Sequence, residues 1–502
     1  MTGSLLPLLV VLPLLGASLG ALVPGSVARV MLVLSPMLTT AGGVALLVTH
    51  GDTPVLAHNV GGFVPGIAIP FVSDMFTAVM ITVTGLTTTA CIVLALITGE
   101  ARLRFFPTLV MMLSAGVNGA FLTGDLFNLF VFIEVMLLPS YALIAMTGTW
   151  RRLGVGRLFV VINLVTSTIL LIGIGLVYGV AGSVNLAVLT DMDADDPRFQ
   201  LAVGVVLLAL TVKAGVVPVH GWLPRAYPAT SATVMALFSA LHTKVAIYAV
   251  FRIHQTVLDG AVAWMTPLLV LFTLTMLVGA YGSLGERMIR RSLAWQMIAG
   301  VGYILVGVGI GTQLGLAAGL FYMVHHILVM GSLLLCSGAV EHAYRTSQFV
   351  GLSGLMRREP LLAVIMALGI MSLIGFPPAS GFFGKVGIAR AAADLDGFRI
   401  WLVLGALLIA SIGTLLAMSR LWADVFWGPP MEEMPSRGKG HKEPPVVPDD
   451  TRIRRRTLLP AGALLLMSLS IFVVPGPLWE MCLQAADGLL DVTAYVEAVT
   501  AS

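Results

Sequence analysis

The sequence predicts an all-α polytopic membrane protein of fourteen transmembrane helices. Three observations carry this: charge is scarce, apolar stretches are long enough to cross a bilayer, and basic residues gather on one side of those stretches. Only 11% of the 502 residues are charged while 58% are hydrophobic, and the mean hydropathy is +0.98. Soluble domains carry about 25% charged residues, so this chain lacks the polar surface for folding in water. A soluble enzyme, a nucleic-acid binder and a disordered chain are disfavoured, and the lipid bilayer is the expected environment. The net charge of +3 is too small to suggest a polyanionic partner.

A bilayer core about 30 Å thick needs roughly 20 apolar residues per helix. Such stretches fall near 4–23, 29–49, 75–98, 105–123, 126–147, 158–181, 199–217, 230–252, 262–284, 292–311, 313–340, 361–393, 400–426 and 457–475. No Lys or Arg precedes Arg29; a cleaved signal needs a basic start, so 4–23 is expected to be a retained span. Inner loops are rich in Lys and Arg. With the N-terminus outside, they hold Arg29, Arg102, Arg104, Arg151, Arg152, Arg157, Arg225, Arg287, Arg290, Arg291, Arg345, Arg357 and Arg358. The linker 427–456 adds Arg437, Lys439, Lys442 and Arg452 to Arg456, with Arg420 at its edge, so 21 of the 28 basic residues are inside. Only Arg198, Arg252 and Arg399 fall outside, where Asp191, Asp193, Asp195 and Asp196 crowd one loop. Both termini are therefore expected outside, with 477–502 as an external tail and the Pro- and Gly-rich 427–456 as a cytoplasmic linker.

Three cysteines, Cys91, Cys336 and Cys482, lie in separate apolar stretches with no CxxC or His/Cys spacing. They predict no disulfide, zinc or iron–sulfur site, and no cofactor is expected.

The functional signal is the charge left inside the spans. Of five lysines, Lys439 and Lys442 lie in the linker; Lys213, Lys244 and Lys385 lie in spans, and Glu134 is the one acidic residue clearly mid-span. A charge at the bilayer centre costs at least about 2.5–3.5 kcal/mol, so such residues face a bundle interior or wet cavity and mark an ion or proton route. The competing reading is snorkelling or a structural ion pair. Snorkelling suits Lys213 near its helix end, but not Glu134 or Lys244. A buried lysine can gain and lose a proton, whereas arginine stays charged; a Glu134–Lys213 pair would make a switch. Histidine titrates near neutrality: His242 precedes Lys244 by two residues, and His325 and His326 sit mid-span on different helix faces. All three are relay candidates.

Two helices are expected to be broken. Pro218, Pro224 and Pro228 flank His220, a further relay candidate, and Arg225; Pro377, Pro378, Gly381 and Gly384 precede Lys385. Such breaks within a membrane are tolerated where the freed backbone is buried or lines a cavity. They fall in spans 7 and 12, five apart, and paired interruptions mark an internal repeat. The expected organisation is 1–104 for spans 1–3, 105–253 and 254–426 for two inverted five-helix repeats (spans 4–8 and 9–13), then the linker, then 457–502 for span 14 and the tail.

The segments FLTGDLFNLFVFIEVMLLPSYAL, VKAGVVPVHGWLPRAYPATSATVMALFSALHTKVAIYAVFR and GFPPASGFFGK resemble the antiporter-like subunits of the Mrp cation/proton antiporters. The same superfamily includes proton-pumping subunits of respiratory complex I and membrane subunits of related hydrogenases. The chain looks most like the D-type subunits, because GDLFNLFVFIEV with SYAL is typical of them; it lacks the long extension of A-type subunits. The resemblance implies that Glu134 is the fifth-helix glutamate, Lys213 its seventh-helix lysine partner, Lys244 the eighth-helix lysine and Lys385 the twelfth-helix lysine. It also implies proton movement coupled to export of Na⁺, Li⁺ or K⁺, driven by proton-motive force, in a bacterial plasma-membrane complex of several different subunits. The alternative is a proton-pumping subunit of complex I or a hydrogenase. One departure stands out: where the family pattern has a lysine, this chain has Met330, which cannot titrate.

Overall fold

The computed structural model describes residues 2–64, 67–146, 150–429, 431 and 451–501; Arg437, Lys439 and Lys442 lie outside the described residues. Two helices open the chain, α1 (Leu8–Leu22) and α2 (Gly25–Thr49). An antiparallel hairpin of β1 (Val55–Asn59) and β2 (Pro70–Asp74), with Val55 opposite Asp74, leads into α3 (Met75–Thr98). Then come α4 (Phe106–Leu122), α5 (Leu126–Ala145), α6 (Trp150–Ala181) and α7 (Pro197–Ala214). They are followed by α8 (Ala232–Ala240), α9 (His242–Thr256), α10 (Val262–Gly282), α11 (Ile289–Ile310) and α12 (Gln313–Tyr344). The chain ends with α13 (Pro360–Ile374), α14 (Ser380–Ala393), α15 (Phe398–Val425), α16 (Arg455–Val473), α17 (Gly476–Leu490) and α18 (Thr493–Ala501).

Each of the fourteen expected stretches contains helix, but among the described residues only 12 segments are long and apolar enough to cross a membrane. The other two apolar helices, α4 and α13, have 17 and 15 residues. Helix α13 is short because Gly375, at φ 93°, ends it ahead of the Pro377–Pro378 pair.

Local chemistry sets the helix ends. Asp74, Asp125, Ser231 and Thr312 accept backbone N–H groups at the heads of α3, α5, α8 and α12, the usual office of such side chains. Gly215, at φ 84°, ends α7, because only glycine enters the left-handed region without steric cost. The chain then runs through three short helical turns between Val219 and Ala229 before α8 starts. Both expected breaks are therefore present. A third, unexpected one falls at Leu241 (φ −109°, ψ −64°), between α8 and α9.

Helix α12 is the hub, packed against α3, α8, α11, α14, α16 and α17. The α8–α9 segment and α12 are buried throughout their apolar stretches, and α11 almost so, while α1, α2 and α15 are largely exposed. Loops sort into two sets. At one end Gln484 Nε2 donates to the carbonyl oxygen of His50 at 2.7 Å and Asp125 bridges to Asn185. At the other end Arg290 bonds Glu341 Oε1 and the carbonyl oxygen of Thr230, both at 2.5 Å, and Glu359 accepts from Tyr344 and from the backbone N–H of Ile453, both at 2.7 Å. The sequence predicts a tail over 477–502; instead α17 packs on α3, α9 and α12, and α18 on β1.

Helices α10 and α11 cross closely through glycine. A Cβ on Gly279 would lie 2.1 Å from the backbone N of Ala299, and one on Gly302 2.4 Å from that of Met276. Small residues let backbones approach in this way in membranes. Gly279→Ala is expected to destabilise the chain by about 1–3 kcal/mol, read as a lowered Tm of the detergent-solubilised protein. Gly285→Ala, which meets open space, is the control and should leave Tm unchanged.

Candidate functional site

Lys213 occupies the last turn of α7, just ahead of Gly215. That turn is the negative end of a helix, where a cation is favoured. Its Nζ donates to Ser167 Oγ on α6 at 3.0 Å. Glu134, mid-way along α5, acts electrostatically on Lys213, but the hydrogen bond of Lys213 goes to Ser167, and Glu134 Oε1 is buried with no hydrogen-bond partner. The expected direct pair is thus open in this conformation. Glu134 is half-buried, on the same stripe of α5 as the exposed Phe127, Val131 and Leu138.

A cavity of about 10 Å³ separates Lys213 from His242, lined also by Asn163 and Trp222. A space of that size has room for about one water, and Lys213, Asn163 and His242 in its lining are polar. His242 Nε2 lies 2.7 Å from Ser140 Oγ, whose own proton goes to the carbonyl oxygen of Met136 at 2.7 Å.

Lys244, fully buried in the first turn of α9, donates to His326 Nδ1 at 3.1 Å and to Thr243 Oγ1 at 3.3 Å. The ring of His326 packs against α11 at Gly300, where a Cβ would come within 2.0 Å of Nε2. His325 faces the other way: its Nδ1 is 2.8 Å from Ser380 Oγ, which is 2.7 Å from Ser468 Oγ. Both Nε2 atoms are buried without a partner.

Lys385, in the second turn of α14, donates to the carbonyl oxygen of Ile374 at 2.8 Å, to Ser411 Oγ at 3.0 Å and to Tyr303 OH at 3.2 Å. Ile374 is the last residue of α13, so the ammonium caps the negative end of a half-helix. Its nitrogen also stands 4.4 Å from the centroid of the Tyr303 ring. Tyr322 fills the space toward the histidines, its ring centroid 5.0 Å from that of Tyr303, 5.1 Å from His325 and 6.4 Å from His326.

The chain therefore brings Lys244 to His326 directly, Lys213 to His242 across a cavity, and Lys385 to the histidine pair through two tyrosines. His220 is apart, half-exposed on the turn after Pro218 against Trp295. Met330 is fully buried. Sequence reasoning missed Ser140, Ser167, Ser411, Tyr303 and Tyr322. A tyrosine deep in an apolar stretch is the available signal, because its hydroxyl must find a partner. Among the described residues no group of three or more His, Cys, Asp or Glu could hold a metal ion.

Residues 123–411, which carry every one of these groups except Ser468, match the family model described as NADH:quinone oxidoreductase/Mrp antiporter, TM. The D-type Na⁺/H⁺ antiporter subunit of Alkalihalophilus pseudofirmus is 33% identical over 450 residues, covering 88% of this chain and 87% of the relative. The chain belongs to the NADH:quinone oxidoreductase/Mrp antiporter transmembrane family. Among solved structures it is similar to a chain of the Mrp complex from Dietzia sp. DQ12-45-1b, at 41% identity, full coverage of both chains and a TM-score of 0.94. A chain of the membrane-bound sulfane sulfur reductase, an archaeal respiratory membrane complex, follows at 26% identity, 99% coverage of each and a TM-score of 0.86. For this family member, Gly300→Ala is expected to push His326 off Lys244. A resolved structure of the variant should show their separation beyond the roughly 3.5 Å limit of a hydrogen bond.

Proposed function

We propose that this chain is the proton-translocating subunit of a multisubunit monovalent cation/proton antiporter driven by proton-motive force in a bacterial plasma membrane, with Na⁺ the coupled ion. The observation that carries the reading is the Lys244–His326 hydrogen bond at 3.1 Å in the fully buried centre of the bundle. An ammonium hydrogen-bonded to an imidazole nitrogen sets a proton donor directly against a group that can itself take up a proton. On this reading the proton line runs from Glu134 to Lys213, across the cavity to His242, through Lys244 and His326, and by Tyr322 and Tyr303 to Lys385. Glu134 tunes Lys213, and Lys385 gates the far exit. Na⁺ is given no path here: a hard cation prefers several oxygen ligands, and Glu134 is a single carboxylate. Its route is assigned to another subunit or an interface.

The chain is read as fourteen spans with both termini outside and two inverted repeats. In support, α4, α5, α6, α7 and α9 pack in sequence, as do α10, α11, α12, the α13/α14 pair and α15. The apolar stripe around Glu134 suits cover by a neighbouring subunit.

Antiport in everted vesicles with all partner subunits tests the reading. Glu134→Ala, Lys213→Ala and Lys385→Ala should each lower cation-dependent proton exchange by about 100-fold while assembly is unchanged; wild-type rates in all three would defeat it. Met330→Lys adds an ammonium to the hub helix, and a large change in rate is expected because the line passes along α12. The likeness to the sulfane sulfur reductase favours one second reading, a proton-pumping subunit of a redox complex. Co-purified subunits decide between the two: small membrane subunits for the antiporter, iron–sulfur subunits for the redox complex.

A further inference from the structure

Arginine stands in two kinds of setting in this molecule. Arg252, which the hydropathy pattern puts in an outer loop, lies in the last turns of α9 and pairs with Asp74, Nη2 to Oδ2 at 2.7 Å. Arg290 pairs with Glu341 in the same way. Arg357, Arg358 and Arg452 instead line one cavity of about 200 Å³, alongside Ser353, Gly428 and Met431. Its wall is fixed by the backbone. Ser353 Oγ donates to the carbonyl oxygen of Pro429 at 2.7 Å, and the N–H of Met356 to that of Phe426 at 3.1 Å, so the turn before α13 is tied to the end of α15. Gly428 stands at φ 80°, and a Cβ there would collide with Ser353 Oγ. Arg358 Nε and Nη2 donate to the carbonyl oxygen of Thr451 at 3.3 and 3.2 Å, and Arg452 Nη1 donates to the same oxygen at 2.9 Å. The Arg358 guanidinium carbon also lies 5.7 Å from the centroid of the Tyr344 ring.

Loop arginines that only set orientation gain by standing apart in water, since like charges repel. These are gathered: two guanidinium groups meet on one carbonyl oxygen, and Arg357 lines the same cavity. The Glu359 carboxylate next in sequence is committed elsewhere, its Oε1 accepting from Tyr344 and from the backbone N–H of Ile453, both at 2.7 Å. A guanidinium fork matches a pair of phosphate oxygens, so the chemistry of the wall calls for a phosphate. Its surroundings call for an apolar tail. Helix α13 begins two residues after Arg358 and α16 three after Arg452, so both leave from the cavity. Each carries an exposed apolar stripe, Leu361 and Val364 on α13 and Leu459 and Leu466 on α16, and the two helices pack against each other. Trp427, next to Gly428 in the wall, is 58% exposed, and exposed tryptophan favours the headgroup level of a bilayer.

We propose that this cavity binds the phosphodiester headgroup of an anionic phospholipid, whose acyl chains run along α13 and α16. The proposal goes beyond the transport reading and does not depend on it. Arg357 and Arg452, both exposed, take the phosphate oxygens. Arg358, held against Tyr344 and Thr451, adds a third positive charge. Basic pockets between membrane helices suit such headgroups, and each arginine near one contributes about fivefold in affinity.

The test uses the complete complex in phosphatidylcholine nanodiscs that contain a rising fraction of phosphatidylglycerol. Phenylglyoxal labels accessible arginines, and peptide mass spectrometry reads each one separately. Phosphatidylglycerol should protect Arg357 and Arg452 saturably, while the exposed Arg455, which begins α16 outside the cavity lining, keeps its reactivity. Arg452→Gln, read at Arg357, and Arg357→Gln, read at Arg452, should each raise the lipid fraction for half-protection about fivefold; Arg455→Gln should leave it unchanged. Inorganic phosphate added to pure phosphatidylcholine discs should protect neither. The proposal is overturned if phosphatidylglycerol gives no protection, if Arg455 is protected as strongly as Arg357, or if inorganic phosphate alone protects as fully as the lipid. The wild-type measurements need no substitution, so they decide the matter even where a variant fails to assemble.

Discussion

A lysine ammonium placed in a bilayer must find its polar partners within its own bundle, and the arrangement of this molecule follows from meeting that need three times. Lys213 and Lys385 meet it at broken helices, where Gly215 and Gly375 stop a half-helix and leave its carbonyl end inside the bundle. Gly375 does double duty, since a Cβ there would lie 2.8 Å from Lys385 Cδ. Lys244 meets it differently. Its helix and α12 are buried throughout their apolar stretches, and its main acceptor is an imidazole nitrogen. The wholly buried helices are thus those that carry the central groups, and the lipid-facing α1, α2 and α15 shield them.

Much of this was legible in the sequence because it depends on backbone chemistry. Pro218 and Pro377 cannot continue a helix, and the two breaks sit where those residues stand. Four lone ionisable residues in apolar text located three of the polar contacts. The kink at Leu241 was not legible: LFSALHTK has no proline or glycine there, and the bend comes from tertiary packing rather than a local breaker. Nor was the open Glu134–Lys213 geometry, because sequence gives the helix but not the rotamer. Arg252 was misplaced for a similar reason. A charge near a span's end reads as a loop residue unless its partner, here Asp74 on a distant strand, is known.

The adjacent histidines show how one dipeptide serves two helices. Neighbours on a helix point about 100° apart, so His326 reaches α9 while His325 reaches the head of α14 through Ser380. This arrangement lets Met330 be apolar. A lysine on α12 would link the eighth and twelfth spans by charge; here His326 and the Tyr322–Tyr303 stack cover the same ground with neutral groups. With Met330 apolar and fully buried, the desolvation of one more charge near Lys244 is avoided.

The three lysines are therefore not equivalent. Lys385 has a carbonyl, a hydroxyl, a phenol and a ring face around it, and each of these prefers the charged form. Lys213 has a hydroxyl, the end of a helix dipole and the field of Glu134. Lys244 stands in the first turn of α9, just past the kink at Leu241 where α8 ends, and donates to a histidine rather than to a helix-end carbonyl. Its principal acceptor is itself a base. Of the three, Lys244 is thus the one whose main acceptor can itself take up a proton, which is why the proposed line is centred on it.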